Sequence, residues 1–545
     1  MLLGERRAAL NRRWFAVGGI WLAVSSCGAR TSLELADAGS DAGVDATDDD
    51  AGLPPACIAD NDCGGDLCSP GVCLAGQCSF LPPPSCDDGD ECTTDSCDPK
   101  SGQCAHQSVT LDLDGDGYNA PRPGYAPGAP GACGNDCDDT SAAAHPGGME
   151  ICDGVDNDCD GVIDNGATYT AQPGSQRVSS STLDLASTAG LAFDGNIYGA
   201  SYTGNHSNKS DAFFQGLSEA GGVVVPELST RSINSDTYAG GLLYNGQYFG
   251  TSWPDARQDG SYEIYFNRLD SNGKKLGPDL RVTDAPKFSL NPALVWNGTE
   301  FLDVWDDRRF DDGTSSDIRI FGQRITVDGT LVGGNVQLTQ PGVVAEYPAI
   351  AVGKSKVGIV FSSSVGNDVH ATFISTDPDF SNPSSPVDLG AGNVQAPRIA
   401  FANGVFVVVW GEYTSGPGNT IQGAVVNEQA AVQVSARAVT STIQSGTSVR
   451  FAADPAVVSL GDRVMLVWAA DLNGHYDLYQ QVLSTDLSTA GVTLVSDSGS
   501  DARSPAVSFG PNGDVGVLFD DWRTGNQQTY FAHMTCAIAL PCPCK

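Results

Sequence analysis

Seven copies of one hairpin pattern run through residues 189–519, and few folds are open to a chain built this way. The clearest are GGLLYNGQYFGTSW (240–253), NPALVWNGTEFLDVW (291–305), APRIAFANGVFVVVW (396–410) and DPAVVSLGDRVMLVW (454–468). AGLAFDGNIYGASY (189–202), YPAIAVGKSKVGIVF (347–361) and SPAVSFGPNGDVGVLF (504–519) are weaker copies. Each reads as strand, two-residue turn, strand. An aromatic closes the second strand every time: Tyr202, Trp253, Trp305, Phe361, Trp410, Trp468 and Phe519, at spacings of 51, 52, 56, 49, 58 and 51 residues.

A loop and a third strand follow each hairpin, most clearly in YEIYFNRLD (262–270), SDIRIFGQRI (316–325) and YDLYQQVL (476–483). A short fourth strand comes next, as in LRVT (280–283) and VQLT (336–339). Four strands per unit of about 50 residues predict the blades of a β-propeller. The last copy lacks an evident fourth strand, whereas SQRVSS (175–180) precedes the first copy with no partner. The expectation is an all-β fold: a seven-bladed ring over residues 168–535, closed by that N-terminal strand so that no sheet edge is left open.

The segment before the ring has a different character. Residues 28–166, a quarter of the chain, hold 28 Asp and Glu against three Lys and Arg, about two thirds of the net charge of −37. Nucleic acid is excluded as a partner for such a surface, because phosphate binding calls for clustered Lys and Arg. Divalent cations suit it. Residues 27–55 are rich in Ala, Gly and Asp and cannot bury a core, which predicts a flexible acidic tether.

The first 26 residues read as an export signal. Arg6, Arg7, Arg12 and Arg13 precede an apolar stretch, Trp14 to Val24, that is too short for a stable membrane span. Val24-Ser25-Ser26-Cys27 resembles a bacterial lipobox, and Arg12-Arg13-Trp14-Phe15 resembles a twin-arginine motif. The lipobox resemblance implies diacylation of Cys27, a lipid as the only membrane anchor, and an outer-membrane or cell-surface location.

Removing Cys27 leaves sixteen cysteines, an even number in an exported chain, and disulfides are the expectation for all of them. They cluster as Cys57, Cys63, Cys68, Cys73 and Cys78; Cys86, Cys92, Cys97 and Cys104; Cys133, Cys137, Cys152 and Cys159; and Cys536, Cys542 and Cys544 in a tail over 536–545. Two clusters are odd, so a bridge between the two ends of the chain is expected, with the connectivity open. The first two clusters form Cys-rich modules over 56–107, with bridges in place of a core. Within them CDDGDECTTDSCDPKSGQCAH (86–106) resembles the CTDC repeat of slime-mould extracellular-matrix proteins, which implies a spacer and no chemistry.

Residues 108–167 carry the acidic motifs. In DGVDNDCDGVIDNG (153–166), five aspartates fall within twelve positions with no Lys or Arg among them. Asp156, Asp158 and Asp160 stand at alternate positions before Gly161, with Asp153 and Asp164 flanking; Asp112, Asp114 and Asp116 repeat the pattern before Gly117. Alternate carboxylates on a tight loop can face one centre, the first half of an oxygen-rich calcium loop. Position twelve holds Pro123 or Ala167 instead of a bidentate Glu, so neither is an EF-hand.

DLDGDGY (112–118), CGNDCDD (133–139), HPGGMEICDGVDNDCDG (145–161) and Asp164 together resemble a bacterial, MopE-like family named for its metal-binding motif. That resemblance adds Asp136, Asp138 and Asp139 to the candidate ligands, and a copper-binding relative makes copper the alternative. Copper prefers imidazole and sulfur, whereas here only His145 and, just before the motif, His106 offer imidazole. Hard oxygens dominate, and calcium is the expected ion.

The ring offers a second constellation. Asp255 and Arg257, Asp307 and Arg309, and Asp521 and Arg523 share the pattern aromatic-x-Asp-x-Arg just after the second strand. They line a candidate binding face for a glycan or protein, or alternatively tie each blade to its neighbour. No GxSxG elbow, HExxH or P-loop occurs, and no catalytic residue is assigned. The reading is a lipid-anchored, calcium-stabilised extracellular recognition or adhesion protein whose propeller presents the binding face. The alternatives are a propeller glycan hydrolase and a surface copper-capture protein.

Overall fold

The computed structural model describes residues 57–538, except 111, 153–154, 165, 207–208, 231–235, 258–259, 313–315, 367, 413–418, 441, 445–446, 449–450, 472–473 and 497–498. The expected lipidation site Cys27, the expected tether, Asp153, Cys542 and Cys544 lie outside the described residues. Among the described residues no helix is long and apolar enough to cross a membrane. The chain divides into two compact units: one runs to Glu150 and includes Val155–Val162, and the other holds Ile151–Gly154 and everything from Ile163 onward.

The second unit is a seven-bladed β-propeller. Blade 1 begins at Leu185–Phe193, blade 2 at Leu242–Tyr244, blade 3 at Ser289–Trp296, blade 4 at Val344–Val352, blade 5 at Gln395–Ala402, blade 6 at Phe451–Ser459 and blade 7 at Ala502–Phe509. Each blade is an antiparallel meander, and the first strands of successive blades pack against one another all the way round, which places them at the centre. The closing aromatics explain why the repeat is so regular: all seven are at most 1% exposed. Five of them sit directly opposite an aromatic of the third strand, as Trp253 does Tyr265, Trp305 does Phe321 and Trp468 does Tyr479. Such cross-strand aromatic pairs each contribute about 0.2–1 kcal/mol beyond an Ala pair. The Thr that ends LRVT and follows VQL also recurs for a reason. Thr283, Thr339 and, in blade 5, Thr440 accept the amide of the third-strand residues Ile264, Ile320 and Ile421 at 2.9, 3.0 and 2.9 Å, which pins the fourth strand to the third.

Sequence reading missed one feature of the repeat. Asn291, Tyr347, Ala396, Asp454 and Ser504 each precede a proline on the first strand and have φ of 51, 56, 41, 50 and 53°. The register slips at each of these points. The X-Pro pair is therefore a built-in bulge that bends every innermost strand it occupies.

Ring closure differs from the expectation in detail. The third strand of blade 7, Gln528–Ile538, is eleven residues long, more than SQRVSS can cover. Gln176–Arg177 pairs with Tyr530 and Phe531, as anticipated for that segment, and Ala167–Ala171 pairs with Met534 to Ile538. Two pieces of N-terminal chain thus share the outer edge. Cys152, just before them, is bridged to Cys536 on the strand they cover, 384 residues away, so the expected link between the chain's two ends exists.

The first unit has little regular structure: hairpins Gly71–Leu74/Gln77–Phe80 and Thr93–Cys97/Cys104–Ser108, and a short turn at Asp60–Asp62. Ile58, Leu67, Leu74, Phe80 and Leu81 are all exposed, so bridges hold this unit in place of an apolar core. Cys57–Cys73, Cys63–Cys78 and Cys86–Cys104 are local. Cys68–Cys97 and Cys92–Cys133 stitch one cysteine cluster to the next, and Cys137–Cys159 closes the acidic segment.

Candidate metal centre

The local fold of each acidic loop follows from its aspartates. Each carboxylate caps backbone amides of its own turn, as Asx turns do. Asp112 accepts from Gly115 and Gly117 at 2.7 and 3.0 Å, Asp114 from Asp116 at 3.2 Å and Asp116 from Tyr118 at 2.8 Å. In the second loop Asp156 accepts from Asp160 and Gly161 at 3.1 and 2.7 Å, Asp158 from Asp160 at 3.1 Å and Asp160 from Val162 at 2.8 Å. Gly117 and Gly161 turn the chain at φ of 96 and 92°, where a side chain would be strained.

The 133–139 segment folds against the first loop. Leu113 N–H donates to Asp139 Oδ1 at 2.9 Å, and Asp136 N–H to the Asn119 carbonyl at 3.1 Å. Gly134 permits this approach, since a Cβ there would lie 2.0 Å from the Ala120 carbonyl oxygen. Tyr118 also stacks on His145, with rings 5.1 Å apart and 5° from parallel.

The result is a convergence of oxygens. Asp114, Asp116 and Asp136 each offer a carboxylate oxygen within 4.8 Å of the others, and Asp112, Asp114 and Asp139 form a second such group. The Oδ2 atoms of Asp114, Asp116 and Asp136 are buried without a hydrogen-bond partner, and Asp136 is 0% exposed. Burial pushes the Asp114 and Asp136 carboxyls above the usual carboxylate range, and their acidic neighbours push in the same direction. Buried, unpaired carboxylate oxygens are costly unless a cation compensates them. The donor set is all oxygen, and it fits a hard divalent ion.

The second loop gains a residue that the aspartate spacing had passed over. Glu150 accepts the Asp158 amide at 2.8 Å through Oε1, while Oε2 is buried and unpartnered. Burial raises its carboxyl, and Asp158 and Asp156 add to the shift. Its signal was its place in HPGGMEICDG, outside the alternating pattern. Asp138 faces Thr140, at 2.6 Å from its hydroxyl. Asp164 belongs to the propeller unit and is 5% exposed. The sulfurs near Asp136 and those of Cys57, Cys63 and Cys73 are all in disulfides, and so are not metal thiolates.

The propeller constellation is a set of staples. Asp255, Asp307 and Asp521 are 0% exposed. Each is gripped by the Arg two residues on: Arg257 at 2.5 Å, Arg309 at 2.7 Å and Arg523 at 2.6 Å. Each guanidinium lies over a third-strand aromatic, Tyr265, Phe321 or Tyr530, about 4.1–4.2 Å from the ring centre. These contacts lie within one blade, so the motif does not tie each blade to its neighbour. The preceding residue does that in two places. Asp306 accepts the amide of Tyr347 in blade 4 at 3.1 Å, and Asp520 that of Thr188 in blade 1 at 2.6 Å. Both carboxyls are pushed by burial up to about 7.

The fold and the loops define a class: an all-β chain with a seven-bladed propeller and a disulfide-rich segment that carries a metal-binding motif. Residues 136–165 match the family described as "Putative metal-binding motif" (Cu-binding MopE), and residues 85–108 match the Dictyostelium slime-mould repeat. The 112–117 loop falls outside both matches. No curated protein matches the chain. Among solved structures, a protein of unknown function from Dyadobacter fermentans is 10% identical over 68% of this chain and 100% of its own, with a TM-score of 0.41. The Trypanosoma rangeli sialidase bound to 2,3-difluorosialic acid is 10% identical over 67% of this chain and 59% of its own, with a TM-score of 0.39. An α-L-arabinofuranosidase from Lactobacillus brevis is 12% identical over 45% and 90%, with a TM-score of 0.30. The chain therefore spans little more than half of the sialidase, and none of these likenesses bears on activity.

Proposed function

We propose that this chain is an exported, calcium-stabilised recognition protein, anchored through a lipid on Cys27, whose propeller binds an extracellular glycan or protein. The observation that carries the calcium reading is the meeting of Asp114, Asp116 and Asp136, three buried carboxylate oxygens with no protein partner. Calcium takes six to eight oxygens and tolerates irregular geometry. The carboxylates gathered at this loop supply such donors. Copper would draw on imidazole or thiolate, and the neighbouring cysteines are committed to disulfides. Calcium then stiffens a unit whose described residues form no apolar core cluster of their own. The recognition reading is supported by the propeller fold, in which the repeated Asp–Arg pairs hold individual blades together and leave binding to other residues of the ring.

Calorimetric titration of the metal-stripped, disulfide-intact full chain tests the metal assignment. Saturable calcium uptake that Asp114→Ala diminishes is the expected result. Uptake of copper with none of calcium would overturn the reading and bring metal capture forward.

A further inference from the structure

We infer that the loop at 112–117 holds two divalent cations side by side, with Asp114 as the ligand they share. The inference rests on the calcium reading above and goes beyond it in stoichiometry and ligand set.

Two three-carboxylate groups are present, Asp112–Asp114–Asp139 and Asp114–Asp116–Asp136, and Asp114 is common to both. The groups approach it from different directions in the chain. Asp139 is fixed by the Leu113 amide at 2.9 Å, and Asp136 is placed by its own amide on Asn119 at 3.1 Å. Asp136 is 0% exposed, and its Oδ2 meets no donor. A buried carboxylate oxygen of this kind calls for a cation of its own and is not a solvated acidic edge.

Charge decides between one ion and two. Five carboxylates around a single divalent ion leave a net −3 in a cluster whose Asp136 is fully buried, with Asp114 and Asp116 partly so. Two ions leave −1, which the amides already donating to Asp112, Asp114 and Asp139 can offset. Carboxylate oxygens within 4.8 Å of one another repel, so the second ion removes several such terms. A carboxylate has two oxygens, and one residue can serve both ions. The site also draws on both sides of the family-matched segment's boundary: Asp136 and Asp139 lie within it, and Asp112, Asp114 and Asp116 outside.

The test is calcium stoichiometry of the full chain by equilibrium dialysis with atomic absorption. The variants are Asp136→Ala, Asp139→Ala, the two combined, and Asp114→Ala. Thiol titration confirms that the disulfides are intact in each, and an unchanged circular dichroism spectrum in saturating calcium shows that a loss of calcium is not a loss of fold. Each single change at 136 or 139 is expected to remove one calcium per chain, and the double variant and Asp114→Ala to remove two. If neither the double variant nor Asp114→Ala loses more than one calcium per chain, one ion occupies the site and the inference is wrong while the calcium reading stands. If the wild-type chain takes up no calcium at all, both fall.

Discussion

Replacing both Cys152 and Cys536 by serine should loosen the propeller measurably. The bridge spans 384 residues and joins the segment before the closing strands to the strand they cover. In the chain-entropy account a loop of that length restricts the unfolded state by about 20 cal/mol/K, or about 6 kcal/mol at 25 °C. Native strain and residual structure usually reduce the realised figure, so about 3–6 kcal/mol is expected. Large domains lose about 2 °C of Tm per kcal/mol, which predicts a fall of roughly 6–12 °C. Differential scanning calorimetry in saturating calcium measures it. Replacing Cys57 and Cys73, which close a 16-residue loop in the other unit, serves as the control and should leave the propeller transition in place. A double variant within about 1 °C of wild type would refute the reasoning. The ring would then be held shut by the pairing of Ala167–Ala171 and Gln176–Arg177 alone.

Two further outcomes follow from the buried carboxylates. Asp306 is raised to about 7 by burial, above its unfolded value, so its protonated form is the one folding favours; its stability contribution is full below about pH 4 and is lost as pH rises through about 7. Asp306→Asn should therefore flatten that part of the stability–pH profile, whose slope from one group reaches about 1.4 kcal/mol per pH unit, and should stabilise most at pH 8, as thermal melts across pH would show. Arg309→Ala leaves Asp307 buried beside only the Trp305 indole, the Ser289 hydroxyl and a backbone amide, and should cost about 2 kcal/mol in urea unfolding, with part of the loss being the ring contact to Phe321; a cost below about 0.5 kcal/mol would mean that the pair is dispensable.

How much was legible in the residues differs from element to element. The blades were, because a strand's alternation and its turn are local, and the closing aromatics recur at nearly constant intervals. Even the need for an N-terminal strand in blade 7 could be inferred, from a missing partner at one end and a spare strand at the other. What the pattern missed was how far Gln528–Ile538 extends, since nothing in Ala167–Ala171 marks it as a strand until its partner is beside it. The X-Pro bulges were visible as letters but not as geometry: a residue before proline ordinarily stays extended, and the positive φ accompanies a register slip in the folded strand pair.

The acidic loops divide along the same line. By itself the sequence determined that Asp112, Asp114 and Asp116, and Asp156, Asp158 and Asp160, form tight turns with their carboxylates gathered, because those hydrogen bonds close within five residues. It also determined that the arginine of aromatic-x-Asp-x-Arg is within reach of its aspartate. Tertiary structure alone decided that the staple stays inside one blade, that Glu150 joins the second loop, that Cys152 pairs with Cys536, and that Asp136 and Asp139 complete the first loop. The physical reason is satisfaction: whether a carboxylate oxygen has a donor depends on every segment packed around it, and the segments that leave the Oδ2 atoms of Asp114, Asp116 and Asp136 without one are brought together only by the fold.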